Sequence, residues 1–175
     1  TSSNAIESYS KFLIECLESY DFNKLSLCGH SMGGLIALEM AMQKNFSVQS
    51  IILVNSIYPT RVAEPLLAKA KASNGGAADF IIKYGLYKRL LGIKNAFSEE
   101  DDLVMLDDLE ACNSYQLDLN VIKDLEIPIS IILGSKDKLV DLKAVESFAN
   151  TVPCKTHAVE EAGHFLFFEQ PNELS

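Results

Sequence analysis

The chain is 175 residues long and carries a net charge of −9, with 48% hydrophobic and 22% charged residues; this balance fits one globular domain with a core of its own. Acidity of this degree repels phosphate backbones, and no basic cluster suits a lipid surface, so nucleic acid and membrane partners are disfavoured. The apolar run from Met32 to Met42 is too short to span a bilayer and is broken by Glu39, and four scattered cysteines (Cys16, Cys28, Cys112 and Cys154) with no C-x-x-C pair read as small core residues of a reducing, cytoplasmic compartment.

Taken in order, residues 4–20 place Ile6, Tyr9, Leu13, Cys16, Leu17 and Tyr20 on one face of an amphipathic helix. Asp21-Phe22-Asn23 is a turn, and 24–28 is a short apolar strand. Residues 32–44 are apolar almost all round, as in a buried helix, with Asn45 as its left-handed stop. The run 50–55 fits a parallel strand covered on both faces.

The pattern changes at Tyr58-Pro59-Thr60, and from there to Tyr115 only helical periodicity is evident. Pro65 suits the first turn of a helix reaching about Ser73, and Asn74-Gly75-Gly76 is a break. Phe80, Ile81, Tyr84, Tyr87, Leu90 and Leu91 form the stripe of a second helix. Ser98 with Asp101 opens a third, whose acidic residues (Glu99, Glu100, Asp101, Asp102, Asp107, Asp108) read as a solvated face, with metal binding a minor alternative.

Alternation then resumes. Residues 128–133 are a third strand ending at Gly134, 142–150 a helix capped by Asp141, 155–159 a fourth strand, 161–164 a loop, and 171–174 the opening of a further helix. This order predicts an α/β fold, a mostly parallel sheet flanked by helices. Residues 1–58 and 116–175 form its core, and 59–115 are a helical cap inserted into it.

Between the first strand and the buried helix stands Gly29-His30-Ser31-Met32-Gly33, a G-x-S-x-G sequence. In a strand-to-helix context this predicts a nucleophile elbow, with the serine hydroxyl projecting clear of the sheet. Strand and helix must pass close together there, so side chains at Gly29 or Gly33 are expected to collide. A serine needs a base, usually histidine, oriented by an acid. Of three histidines, His30 lies inside the elbow and reads as a packing or gating residue, and His157 lies within a strand. His164 follows the last strand, at the sheet edge where open parallel sheets build their sites. Asp137, after the third strand, falls between serine and histidine in chain order; Asp141 is better explained as a helix cap.

Three motifs now carry a resemblance: Gly29-His30-Ser31-Met32-Gly33-Gly34, Gly134-Ser135-Lys136-Asp137-Lys138-Leu139-Val140, and Ala162-Gly163-His164-Phe165 with Phe168-Glu169-Gln170-Pro171. On them the chain resembles the α/β-hydrolase superfamily, in its cap-domain branch of small serine esterases, over its whole length. Serine at the tip sets it apart from the epoxide hydrolases and haloalkane dehalogenases of that branch, which use aspartate. The resemblance implies a serine hydrolase acting on a small-molecule carboxylic ester or thioester, without metal or organic cofactor. Ser31 would be nucleophile, His164 base, Asp137 orienting acid, and the Met32 N–H one oxyanion donor. The strands and His-Gly loop that open other members have no match, so the resemblance also implies a piece of a longer protein. Similar scaffolds host acyl transfer, carbon–carbon hydrolysis and lyase chemistry, and a non-catalytic ligand-binding relative or inactive fragment is a further alternative. Phe80, Tyr84, Tyr87 and Phe97 are candidates for an apolar acyl pocket, though core packing is the more ordinary role for most of them.

Overall fold

The computed structural model describes residues 5–21, 24–88 and 101–174. Its elements are α1 (Ile6–Leu17), β1 (Leu25–His30), α2 (Met32–Gln43), β2 (Val48–Val54), α3 (Glu64–Ala72), α4 (Gly76–Gly85), α5 (Asp101–Ser114), α6 (Leu119–Asp124), β3 (Ile129–Gly134), α7 (Leu142–Thr151), β4 (Cys154–Val159) and α8 (Leu166–Glu169), with a closing 3₁₀ turn at Pro171–Leu174. The turn residues Phe22 and Asn23, the stripe residues Leu90 and Leu91, Phe97, and Ser98 with Glu99 and Glu100 lie outside the described residues.

The four strands pair in chain order, β1-β2-β3-β4, all parallel. Each crossover carries a helix, as parallel pairing demands. The register aligns His30 with Val54, Val54 with Ile132, and Gly134 with Val159. Every strand therefore ends at the same edge, and the segments after β1, β2, β3 and β4 emerge side by side. Among the described residues between β2 and β3 there are helices and no strand. No helix among the described residues is long and apolar enough to cross a membrane.

The core forms where α2 and α7 meet the sheet: Leu35, Leu38, Ile51, Leu53, Ile131 and Phe148 are fully buried in one cluster. Burial of each such side chain contributes about 1.5–3 kcal/mol, which outweighs the weak amphipathicity of α2. Expected caps are found at two places. Pro65 stands in the first turn of α3, and Asp141 accepts the Lys143 N–H at the start of α7. Asp118 caps α6, a helix the sequence reading did not separate from its surroundings.

Several expectations are corrected. The buried stripe of α1 is Ile6, Ser10 and Ile14, whereas Leu13, Cys16 and Tyr20 are exposed. The helix is turned so that Ser10 faces α2, where its hydroxyl accepts a hydrogen bond from Gln43 Nε2; hydrophobic periodicity weighted the thiol and phenol above that satisfied serine. Cys28 is also exposed, on the outward-facing alternation of β1. Of the four cysteines only Cys112 is buried. The left-handed stop of α2 is Lys44, at φ 55°, not Asn45. The acidic face of α5 is not wholly solvated: Asp108 accepts from the Tyr9 hydroxyl at 2.6 Å, and that bond pushes the phenol up to about 12. Helix α4 ends at Gly85, so Tyr87 falls beyond it and is exposed.

Candidate active site

Ser31 sits between β1 and α2 with φ 52° and ψ −123°, a backbone region that L-residues with a Cβ rarely occupy. Two bonds hold it there. Its N–H donates to Val54 O at 3.1 Å, and its carbonyl accepts from Gly34 N at 3.0 Å. The close passage of strand and helix falls at Gly29, where a Cβ would lie 2.2 Å from Gly33 O, and at Gly34, where it would lie 2.2 Å from Ser56 Oγ. Gly33, expected to be crowded, has nothing within 4 Å of an added Cβ. The elbow brings the backbone of Gly33 toward Gly29, so the constraint belongs to the residue facing that carbonyl. Met32 opens α2, where a backbone N–H has no intrahelical partner.

Asp137 follows β3 in a tight loop. Its Oδ1 accepts from the N–H groups of Leu139, at 2.7 Å, and Val140, at 3.3 Å, and its Oδ2 lies 2.8 Å from His164 Nδ1. The paired side chains are 3% and 8% exposed, so water does not compete for this bond. With Nδ1–H committed to the carboxylate, the second ring nitrogen of His164 is left as the basic one.

The loop bearing His164 is fixed from several directions. Its carbonyl accepts from Asn55 Nδ2 and from His30 Nε2, each at 2.7 Å, and its N–H donates to Gly85 O. Asn55, fully buried at φ 44°, also donates to Gly163 O at 3.0 Å and accepts the Gly134 N–H at 2.8 Å. One side chain after β2 thus ties together the ends of β3 and of the histidine loop. The His30 ring stacks obliquely on that of His164, centroids 4.8 Å apart. Desolvation by burial lowers the pKa of His30, favouring the neutral ring that donates through Nε2.

Ser31, Met32 and His164 line one cavity of about 340 Å³. No hydrogen bond joins Ser31 to His164 among the described residues; such bonds are often long before substrate arrives. Phe80, Ile81 and Tyr84 from α4, with Leu66 and Leu139, give the cavity an apolar wall, and Arg61 and Lys138 stand on its lining. Of the four aromatics considered for such a wall, Phe80 and Tyr84 line it and Tyr87 does not. Cys112 also faces the cavity, but burial pushes its thiol up to about 12. It stays protonated near neutrality. His157 is exposed on β4, away from this wall.

Sequence reasoning passed over Asn55 and Glu169. The signal for Asn55 was a polar residue closing an apolar strand. Glu169 stood inside a recognised motif, and nothing in the sequence said what its carboxylate would touch.

A parallel sheet whose strand ends carry a strained serine at a strand–helix elbow and a histidine bonded to an aspartate defines a class, and comparison agrees with it. Residues 4–175 match the alpha/beta hydrolase family, and the chain belongs to that family. Among curated proteins it is similar to 3-oxoadipate enol-lactonase 1 of Acinetobacter baylyi (strain ATCC 33305 / BD413 / ADP1), 24% identical over 180 residues that cover 97% of this chain and 68% of that protein. Among solved structures it superposes on a thermophilic esterase with a TM-score of 0.83 at 23% identity, covering 97% of this chain and 69% of the other. An esterase from Exiguobacterium antarcticum gives 0.82 at 16% identity, with 99% and 72% covered. The enol-lactonase of Burkholderia xenovorans LB400 gives 0.81 at 18%, with 97% and 70% covered.

Proposed function

We propose that this protein is a serine hydrolase that cleaves a small-molecule carboxylic ester or thioester, open-chain or cyclic, through an acyl-enzyme. Ser31 Oγ attacks the carbonyl carbon while His164 Nε2 takes its proton. The tetrahedral oxyanion is met by the Met32 N–H at the positive end of α2. His164 returns the proton to the leaving alcohol or thiol as the acyl–oxygen or acyl–sulfur bond breaks. Water, deprotonated by the same nitrogen, then attacks the acyl carbon, and His164 returns that proton to Ser31 Oγ as the acyl–Oγ bond breaks and the acid leaves. Asp137 keeps Nδ1 protonated throughout and stabilises the imidazolium that forms.

One observation carries this most: the buried 2.8 Å bond from His164 to Asp137, on a histidine that shares a cavity wall with a serine in strained backbone. The likeness to esterases and enol-lactonases supports ester bonds over other targets. Within this reading α3 to α5 form a cap over the sheet edge, and Phe80, Ile81 and Tyr84 receive the apolar part of the substrate.

A fluorophosphonate probe applied to the full-length protein tests the assignment. The parent is expected to be labelled and to hydrolyse nitrophenyl esters, and Ser31→Ala to do neither. Undiminished labelling of Ser31→Ala would reject Ser31 as nucleophile.

A further inference from the structure

Glu169, the last residue of α8, aims its carboxylate at two separate parts of the site. Oε2 accepts the N–H of Gly163, the residue before the proposed base, at 2.7 Å. Oε1 accepts the N–H groups of Tyr87 and Lys88, at 2.7 and 2.9 Å, just past the end of α4. These segments lie in direct contact: the His164 N–H donates to Gly85 O, and a Cβ on Gly163 would come within 2.1 Å of Gly85 O and 2.8 Å of Tyr87 N. Lys88 adds an ion pair to Glu161 at 2.9 Å across the same seam. Leu166, fully buried, anchors the short helix that presents the carboxylate.

Three backbone donors converging on one side chain are more than a local turn needs. Only an acceptor-only group with two oxygens can serve both sides at once. One side carries His164; the other follows the helix whose Phe80, Ile81 and Tyr84 wall the cavity. We infer that Glu169 is a positioning residue, a clamp that fixes the base loop and the α4 wall of the pocket relative to each other. This rests on the hydrolase reading above. It adds that the acyl pocket and the proton-transfer group are set by one carboxylate, so that loosening it disturbs rate and acyl selectivity together.

Glu169→Gln is the informative variant. It keeps the shape, but its amide places an NH₂ against one set of N–H donors, so only one side stays held. Glu169→Ala releases both. In the full-length protein, active sites are counted by fluorophosphonate labelling, and kcat and KM are measured on nitrophenyl acetate and hexanoate. Misplacement of a catalytic group by about 1 Å costs up to about a hundredfold, so kcat per labelled site should fall about tenfold to a hundredfold. The ratio of kcat/KM for hexanoate over acetate should shift by about threefold or more, the scale on which a loosened apolar wall loses discrimination. A merely structural glutamate would lower Tm and leave both readouts within about twofold of the parent; that result overturns the inference.

A second measurement needs no variant. In the unaltered protein the amides of Gly163, Tyr87 and Lys88 should exchange hydrogen through one shared opening, with opening free energies that agree. Gly163 protected while Tyr87 and Lys88 exchange as an open chain overturns the clamp. A parent that takes no label and hydrolyses no ester refutes the hydrolase reading, and the exchange data then decide the clamp on their own.

Discussion

Asn55 Nδ2 lies 2.7 Å from the carbonyl oxygen of His164. The same amide reaches Gly163 O, and its Oδ1 takes the Gly134 N–H. Every polar atom of this buried side chain is therefore used, and the pattern needs a donor on one side and an acceptor on the other. Asn55→Asp keeps the shape but sets an oxygen against two carbonyls. An unsatisfied buried polar group and an unpaired charge each cost a few kcal/mol, so the variant should lose about 3 kcal/mol. Urea unfolding of parent and variant checks this; a loss below about 1 kcal/mol contradicts the bonding described.

The glycines of the elbow should separate cleanly. Gly29→Ala puts a methyl group on the Gly33 carbonyl, and Gly34→Ala puts one on the buried Ser56 side chain. Overpacking against such rigid neighbours should cost about 3 kcal/mol or more in each case. Gly33→Ala meets open space inside a helix and should gain roughly 0.5–1 kcal/mol, the difference in helix propensity. Thermal melts of the three variants suffice, with ester turnover of Gly33→Ala expected to remain at the parent level.

The two aspartates after β3 should part company in the same way. Asp137→Asn removes the acceptor that holds His164 Nδ1–H, and kcat should fall by about 10⁴ with KM little changed. Asp141→Asn retains a good cap for α7, so both stability and turnover should stay close to the parent. Steady-state kinetics on one nitrophenyl ester distinguishes them; equal losses would undo the assignment of Asp137.

His30 makes stability depend on pH with a definite sign. Burial lowers its pKa below the ordinary 6.5. As pH falls through the window beneath 6.5, the unfolded chain binds a proton there that the folded chain does not. Its contribution is thus complete above that window and lost on going down through it. His30→Gln, which can still donate to the His164 carbonyl, should remove this part of the slope. Urea midpoints measured from about pH 7.5 down to about pH 5 should fall more steeply for the parent than for the variant if His30 is the group responsible.

What could be read from the chain alone was whatever depends on a residue and its near neighbours. The strand–turn–helix at Gly29 to Gly34, the cap at Asp141 and the strands around Ile51 and Ile131 belong there, and so do the positions of Ser31, Asp137 and His164 just past strand ends. What stayed hidden depends on a distant partner. Ser10 faces the core because Gln43 satisfies it. Gly33 is free because the crowding falls on Gly29 and Gly34. Asn55 and Glu169 act on backbone groups far along the chain, and periodicity carries no record of such contacts.

The backbone at Ser31 has a consequence for how this protein responds to selection. A glycine there would relax a conformation that costs a side-chain-bearing residue about 1–3 kcal/mol. Ser31→Gly should therefore outlast the parent in heat while hydrolysing nothing. A population bred for endurance alone would drift away from the hydroxyl, and on the proposed reading a demand for turnover keeps that tension in place.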